Sequence, residues 1–272
     1  MTVDKKIIQK AIQKLNLQGK IICIHSSLKS FGHVENGPRT IIDTFIEENC
    51  TILVPSFTDN YAVPPIAGLK PTRNGWDYDK FAWHTYGYDR IFNTDSTHIT
   101  KENMGIIPYE IVKMSNRKRG NNPLSSFTAI GKYANALVCH QSPKNVWAPL
   151  EELYNLQGYV LLMGVNLDHA TIIHYAEQLA GRNPFIRWAN DSLGNTIPVS
   201  VGSCSKGFDS LSEILKPIES NITVGRSYWR CFPTVDMVNT CVSAILASPQ
   251  ITHCSNPDCD LCNDAISGGP IL

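Results

Sequence analysis

The feature that most constrains this 272-residue chain lies between residues 21 and 54. It reads IICI, a polar loop, then GPRTIIDTFIEE, then TILV. IICI and TILV are short, continuous apolar runs rich in β-branched residues, the pattern of strands covered on both faces. The segment between them opens on Gly37-Pro38, which suits a first helical turn. It then places Ile41, Ile42, Phe45 and Ile46 on one helical stripe. Strands joined by a helix of this length are free to pair in parallel, which a short turn cannot achieve. A third run of the same kind, YVLLMGV, occupies residues 159–165. The expected fold class is α/β, with a central mixed, largely parallel sheet flanked by helices.

The remaining chain is read around that unit. Ile7, Ile8, Ala11, Ile12 and Leu15 share a face and predict an amphipathic N-terminal helix. Helical patterns recur at residues 105–114, 133–139, 150–154, 171–181 and 235–246, and strands are expected after Arg187. Residues 59–103 are rich in Tyr, Trp, Pro, Asp and Gly and lack a clear period. So long an irregular stretch in a compact domain marks an insertion with work to do, here read as a substrate-side insertion. Its aromatic set, Trp76, Tyr78, Phe81, Trp83, Tyr86 and Tyr88, walls a substrate pocket or forms a small satellite core. Residues 1–272 are taken as one domain, with a Cys-rich tail from about residue 248.

Lysine plus arginine equal aspartate plus glutamate at 24 each, so formal net charge is zero and nothing draws the whole chain to nucleic acid or an anionic membrane. No apolar run reaches the roughly 20 residues of a membrane span, and lysines interrupt the N-terminal apolar positions where a signal peptide would be continuous. Nine cysteines without an export signal are expected to be reduced thiols in the cytoplasm. Phosphate-loop, dinucleotide and nucleophile-elbow motifs are absent, which argues against NTPases, dinucleotide enzymes and typical α/β-hydrolases.

Three segments carry candidate chemistry. HSSL at residues 25–28 ends the first strand with hydroxyls and backbone amides, at the sheet edge where open α/β proteins bind ligands. In DHATIIHYAEQLAGR, residues 168–182, His174 and Glu177 stand three apart in a helical pattern and share a face. The spacing alone fits either a solvated surface pair or a base with its orienting carboxylate. Asp168, after the third strand, either meets a cationic ligand or caps the next helix. In the tail, His253, Cys254, Cys259 and Cys262 are soft ligands within ten residues. The CxxC pair has no second matching pair, so no metal set is assigned; Cys254, Cys259 and Cys262 are the candidates.

Five blocks in order turn these segments into a family signature: HSSLKSFGHVENG (25–37), TILVPSFTDN (51–60), FNTDSTHITKENMGIIP (92–108), NPLSSFTAIG through PLEELYNLQGYVLLMGV to DHATIIHYAEQLAGR (122–182), and RCFPTVDMVNT (230–240). Together they resemble the aminoglycoside 3-N-acetyltransferases, the antibiotic N-acetyltransferase family. The resemblance implies acetyl transfer from acetyl-coenzyme A to an amine, usually of an antibiotic, with no metal required. It implies His174 as general base and Glu177 as its partner. It places the coenzyme at Ser26, Ser27, Leu28, Lys29, Ser30, Phe31 and Gly32, with Met104, Gly105 and Ile107 from a second block. Asp168, Asn122 and Thr171 fall on the acceptor side, and Thr58 and Ser126 near the thioester. A homodimer is admitted; nucleic acid and membrane are not expected partners.

The chain departs from the family pattern in three places. Asn122-Pro123 stands where His-Pro is usual, Ala148 where serine is, and Ala170 where asparagine is. The expectation is a retained transfer apparatus acting on an amine other than the typical aminoglycosides. A biosynthetic acyltransferase and an inactive coenzyme-binding homologue remain alternatives.

Overall fold

A computed structural model describes residues 2–66, 68–76 and 90–271. Among these, seven strands form the main sheet. Its order is β11 (Ser220–Val224), β12 (Ser227–Pro233), β8 (Tyr159–Met163), β2 (Ile21–Ser26), β4 (Thr51–Pro55), β7 (Phe127–Ile130) and β6 (Lys118–Arg119). The three apolar runs of the sequence are its middle strands. β8, β2 and β4 are mutually parallel, and antiparallel strands extend the sheet on both sides.

Alternation along the strands explains why those runs had to be apolar throughout. Ile22 and Ile24 of β2 face a core under α1 (Lys5–Lys14), α2 (Pro38–Glu47) and α4 (Ile106–Ile111), while Ile21 and Cys23 face a second core. The second core lies under α5 (Ala134–Val138), α6 (Ala148–Asn155), α7 (Ile172–Leu179) and α9 (Thr234–Ala247). Each central strand is thus covered on both faces, and a polar residue on either would lose its water. The helices start where local chemistry lets them. Asp4 accepts the Ile7 amide at 2.9 Å before α1, and Pro38 opens α2.

Of the pattern over residues 105–114 only Ile106–Ile111 is helical, as α4; a separate short helix, α3 (Lys101–Met104), precedes it, and Gly105 between them takes φ 86°. β8 stops at Met163, two residues before the apolar run does, because Gly164 turns with φ 68°. A Cβ at Gly164 would sit 2.0 Å from the Ser30 Oγ, so this glycine lets the loop after β8 touch the turn after β2.

A three-stranded sheet, β10 (Thr196–Val201), β9 (Phe185–Asn190) and β5 (Ala62–Val63), joins the insertion to the chain after α7. A parallel pair, β1 (Thr2–Val3) and β3 (His33–Val34), ties the N-terminus to the loop after β2. Two short helices complete the set, α8 (Ser212–Leu215) and α10 (Asp260–Ile266). The insertion also meets the tail. Arg73 donates to the carbonyls of Gly269 and Ser267, and the Gly75 amide to Asp264. Tyr78, Phe81, Trp83, His84, Tyr86 and Tyr88 lie outside the described residues. Among the described residues no helix is long and apolar enough to cross a membrane.

Candidate active site

β2 and β8 run parallel and end together, with Ser26 opposite Met163 and the Ser27 amide donating to the Met163 carbonyl. Both ligand-side loops therefore leave one sheet edge. After β2 the chain enters a 3-10 turn at Leu28–Phe31; after β8 it makes the turn at Leu167–His169 and enters α7.

His174 and Glu177 sit in the first two turns of α7, and both are buried despite their polarity. His174 Nδ1 lies 2.8 Å from Glu177 Oε2. An ionised carboxylate only accepts, so in the neutral imidazole Nδ1 carries the proton and Nε2 the lone pair. The other Glu177 oxygen, Oε1, accepts from Arg182 Nη1 at 2.5 Å and Thr252 Oγ1 at 3.1 Å. Ser203 Oγ approaches Oε2 at 3.3 Å. Burial pushes the Glu177 carboxyl up, yet the hydrogen bond and charge of His174, with Arg182 and Thr252, outweigh it and leave its pKa below the usual carboxylate value.

The imidazole is also fixed by apolar neighbours. Trp147 stacks on it with ring centroids 5.4 Å apart and planes 12° from parallel, and Phe208 meets it edge-on at 4.8 Å. Gly202 closes the arrangement. A Cβ there would lie 3.1 Å from the Trp147 ring and 3.3 Å from His174 Cδ2. A small crevice opens above the pair, bordered by Trp147, Gly202, Ser203, Asn183 and Ala265.

The coenzyme-side residues assigned from the resemblance divide in two. Ser26, Ser27, Leu28, Ser30 and Gly32 are partly accessible, Lys29 is exposed, and Gly105 brings the second block against the first, with the Ser26 carbonyl 3.3 Å from its Cβ position. Met104 is half-buried beside it. Phe31 and Ile107 are instead core residues, Phe31 packing edge-on to Trp229 at 5.8 Å, so their side chains are not open to a ligand. Ser30 Oγ is spent on the Ser27 carbonyl and Ser227. Sequence reading missed Arg226, whose guanidinium lies against Gly32, three residues after Lys29 in the chain.

The acceptor-side residues are mostly framework. Asn122 is fully buried, and both amide hydrogens and its oxygen are used, donating to the Ser142 and Ser200 carbonyls and accepting from the Leu124 and Ser125 amides. Thr171 is buried at the start of α7, where its carbonyl accepts from the His174 amide. Asp168 does not cap that helix; its Oδ1 is buried without a hydrogen-bond partner among the described residues, 3.9 Å from His169 Nε2. Ala148 and Ala170 are both buried, and neither they nor Asn122 line the crevice. The hydroxyls of Thr58 and Ser126 are also committed. Thr58 accepts the Asn60 amide; Ser126 donates to the Ser56 carbonyl and accepts from Arg119. The Ser126 hydroxyl hydrogen, expected near the thioester, is thus used within the protein.

Arg182, Ser203, Thr252, Trp147 and Phe208 were not singled out in the sequence. Arg182 had a weak signal, being the cation that follows the helix-ending Gly181; the others arrive from distant segments. In the tail, Cys254, Cys259 and Cys262 converge, and Cys204 joins them.

A fold and a buried His–Glu pair of this kind define a class, and comparison gives its name. The chain belongs to the aminoglycoside 3-N-acetyltransferase family, whose model matches residues 23–245. The SPbeta prophage-derived aminoglycoside N(3′)-acetyltransferase-like protein YokD of Bacillus subtilis strain 168 is 32% identical over 182 residues, 64% of each chain. The match thus spans just under two thirds of that relative. Among solved structures, the apoenzyme of aminoglycoside acetyltransferase AAC(3)-IVa superposes with a TM-score of 0.78 at 22% identity, covering 98% of both chains. The AAC-IIIb binary complex with CoASH gives 0.72 at 19% identity, covering 90% of this chain and 97% of that one.

Proposed function

We propose that the chain is an acetyl-coenzyme A-dependent N-acetyltransferase acting on an amine of an aminoglycoside or another antibiotic-like small molecule. The observation that carries the reading is the Nδ1–Glu177 hydrogen bond, which leaves His174 Nε2 as the basic nitrogen. An amine attacks only with its lone pair free, so the protonated form must first lose a proton. As the amine nitrogen bonds to the thioester carbonyl carbon, its remaining excess proton passes to Nε2; the carbon–sulfur bond breaks and the coenzyme leaves as thiolate. Glu177 stabilises the imidazolium so formed, and Arg182 and Thr252 keep Glu177 ionised and aimed. No covalent enzyme intermediate arises.

The coenzyme is read along the 3-10 turn at Leu28–Phe31 and against Met104 and Gly105, with its phosphates toward Lys29 and Arg226. The coenzyme A complex of a fold neighbour supports that co-substrate. Family membership supports the amine acceptor, and with it drug resistance is read as the role and the cytoplasm as the compartment. The departures from the family pattern at Asn122, Ala148 and Ala170 support reading the acceptor as an amine other than the typical aminoglycosides.

The test is thiol release from acetyl-coenzyme A across a panel of amines, with mass analysis of product. Turnover with at least one amine is expected, falling on the order of 1000-fold in His174→Ala while coenzyme binding persists. Unchanged turnover in that variant rejects His174 as the base. Activity restricted to 2-deoxystreptamine drugs rejects the altered acceptor.

A further inference from the structure

We propose that Cys204, Cys254, Cys259 and Cys262 form a structural zinc site. The four sulfurs come from three separate segments: the loop after β10, the stretch after the 3-10 turn at Pro249–Thr252, and the start of α10. All lie within 4.8 Å of one another. A tetrahedral tetrathiolate site with zinc–sulfur bonds of about 2.3 Å has sulfurs roughly 3.8 Å apart, so small side-chain adjustments close the cage. Four thiolates and no free position describe a structural site, not a catalytic one.

The surroundings fit that role. The Cys254 amide donates to Cys262 Sγ at 3.4 Å, a bond that supports a thiolate. His253, the other soft residue of the tail, is excluded as a ligand because both ring nitrogens are engaged, Nδ1 on the Cys254 carbonyl and Nε2 on Asn263. Apolar burial in this segment is slight. α10 has seven residues, and from residue 253 onward the described chain buries only Cys262 and Ala265 as apolar side chains. A two-turn helix with so little core does not hold itself, and a metal is the usual remedy for a small unit of this kind.

What the metal would hold is the catalytic surround. Cys204 follows Ser203, which approaches Glu177, and Cys254 lies two residues after Thr252, which donates to Glu177. α10 in turn carries Asp264, which takes the Gly75 amide of the insertion. One ion would thereby fix three pieces that meet at the His174 crevice, without touching the reacting atoms.

The experiment is metal analysis of the full-length chain, purified under reducing conditions from zinc-supplemented cells, with cobalt substitution read by visible absorption. One zinc per chain and a tetrathiolate cobalt spectrum are expected. Cys204→Ser should lose most of the zinc, whereas Cys139→Ser, at an exposed thiol outside the cluster, should keep it. Should Cys204→Ser fail to fold, the wild-type cobalt spectrum decides alone. Zinc-free protein that takes up no cobalt, a cobalt spectrum without four sulfur ligands, disulfides among the four cysteines, or full zinc in Cys204→Ser overturns the site. None of these readouts depends on turnover, so they stand apart from the test of acetyl transfer.

Discussion

Two buried charges, Glu177 on helix α7 and Arg119 on the edge strand β6, are satisfied in different ways. Glu177 is surrounded by groups that carry charge or protons: His174, Arg182, Thr252 and Ser203. Among the described residues Arg119, on β6, donates to neutral acceptors, the carbonyls of Ser96, Ser56 and His98 and the Ser126 hydroxyl, at 2.6 to 3.0 Å. Burial pushes the Arg119 guanidinium down to about 10, still far above neutrality, so it stays charged and exchanges nothing. The first arrangement ends on a histidine able to take a proton, while the second pins the insertion's return to the sheet. Burying a charge is common to both; only the identity of the partners separates chemistry from clamping.

That contrast is open to test. The largest effect is expected for Glu177→Gln. A carboxamide at this position can present a hydrogen to Nδ1 and so favour the wrong tautomer, and kcat/KM should fall on the order of 100-fold with KM little changed. The same variant should alter acid unfolding. Because Glu177 titrates below its ordinary value in the folded chain, its pairing contributes stability that is fully present above about pH 4.3 and is lost as pH falls through the folded pKa. Denaturation followed against pH should show this acid limb in the wild type and a weaker one in Glu177→Gln. A variant with full activity would place Glu177 with Arg119 as mere structure.

Next in size is Arg119→Met, which leaves buried carbonyls without a donor. Unfolding free energy should drop by about 3 kcal/mol, measured by denaturant, while turnover per folded molecule holds. A large loss of turnover without loss of stability would erase the distinction from the other side. The smallest effect is expected for Thr252→Val, which removes one of several bonds to Glu177. A fall in kcat of about threefold, with the fold intact, would show how finely the carboxylate is held.

Much of this was legible before any coordinates. The three apolar runs give β2, β4 and β8 because covered parallel strands admit no polar face. The His174–Glu177 spacing survives as a contact because it is local to one helix. What stayed hidden was whatever crossed the sequence. Thr252 lies 75 residues from Glu177, and Ser203 lies 26 away, in loops without periodicity. Cys204 shows the same limit from another angle. The tail advertised Cys259 and Cys262 as a CxxC pair, but the partners that complete the cluster are single cysteines, one of them beyond α8 and α9 in the chain. Asn122 misled in the opposite direction, since a residue at a family acceptor position turned out to lock loops with every hydrogen bond it owns.

The stacking of Trp147 on His174 has an optical consequence. An imidazolium held flat against an indole places positive charge on the ring's electron-rich face. Emission from that indole is expected to be quenched when the histidine gains a proton and to recover when the proton leaves, measured as Trp fluorescence against pH in wild type and His174→Ala. Trp147 would then serve as a built-in indicator of the charge on His174.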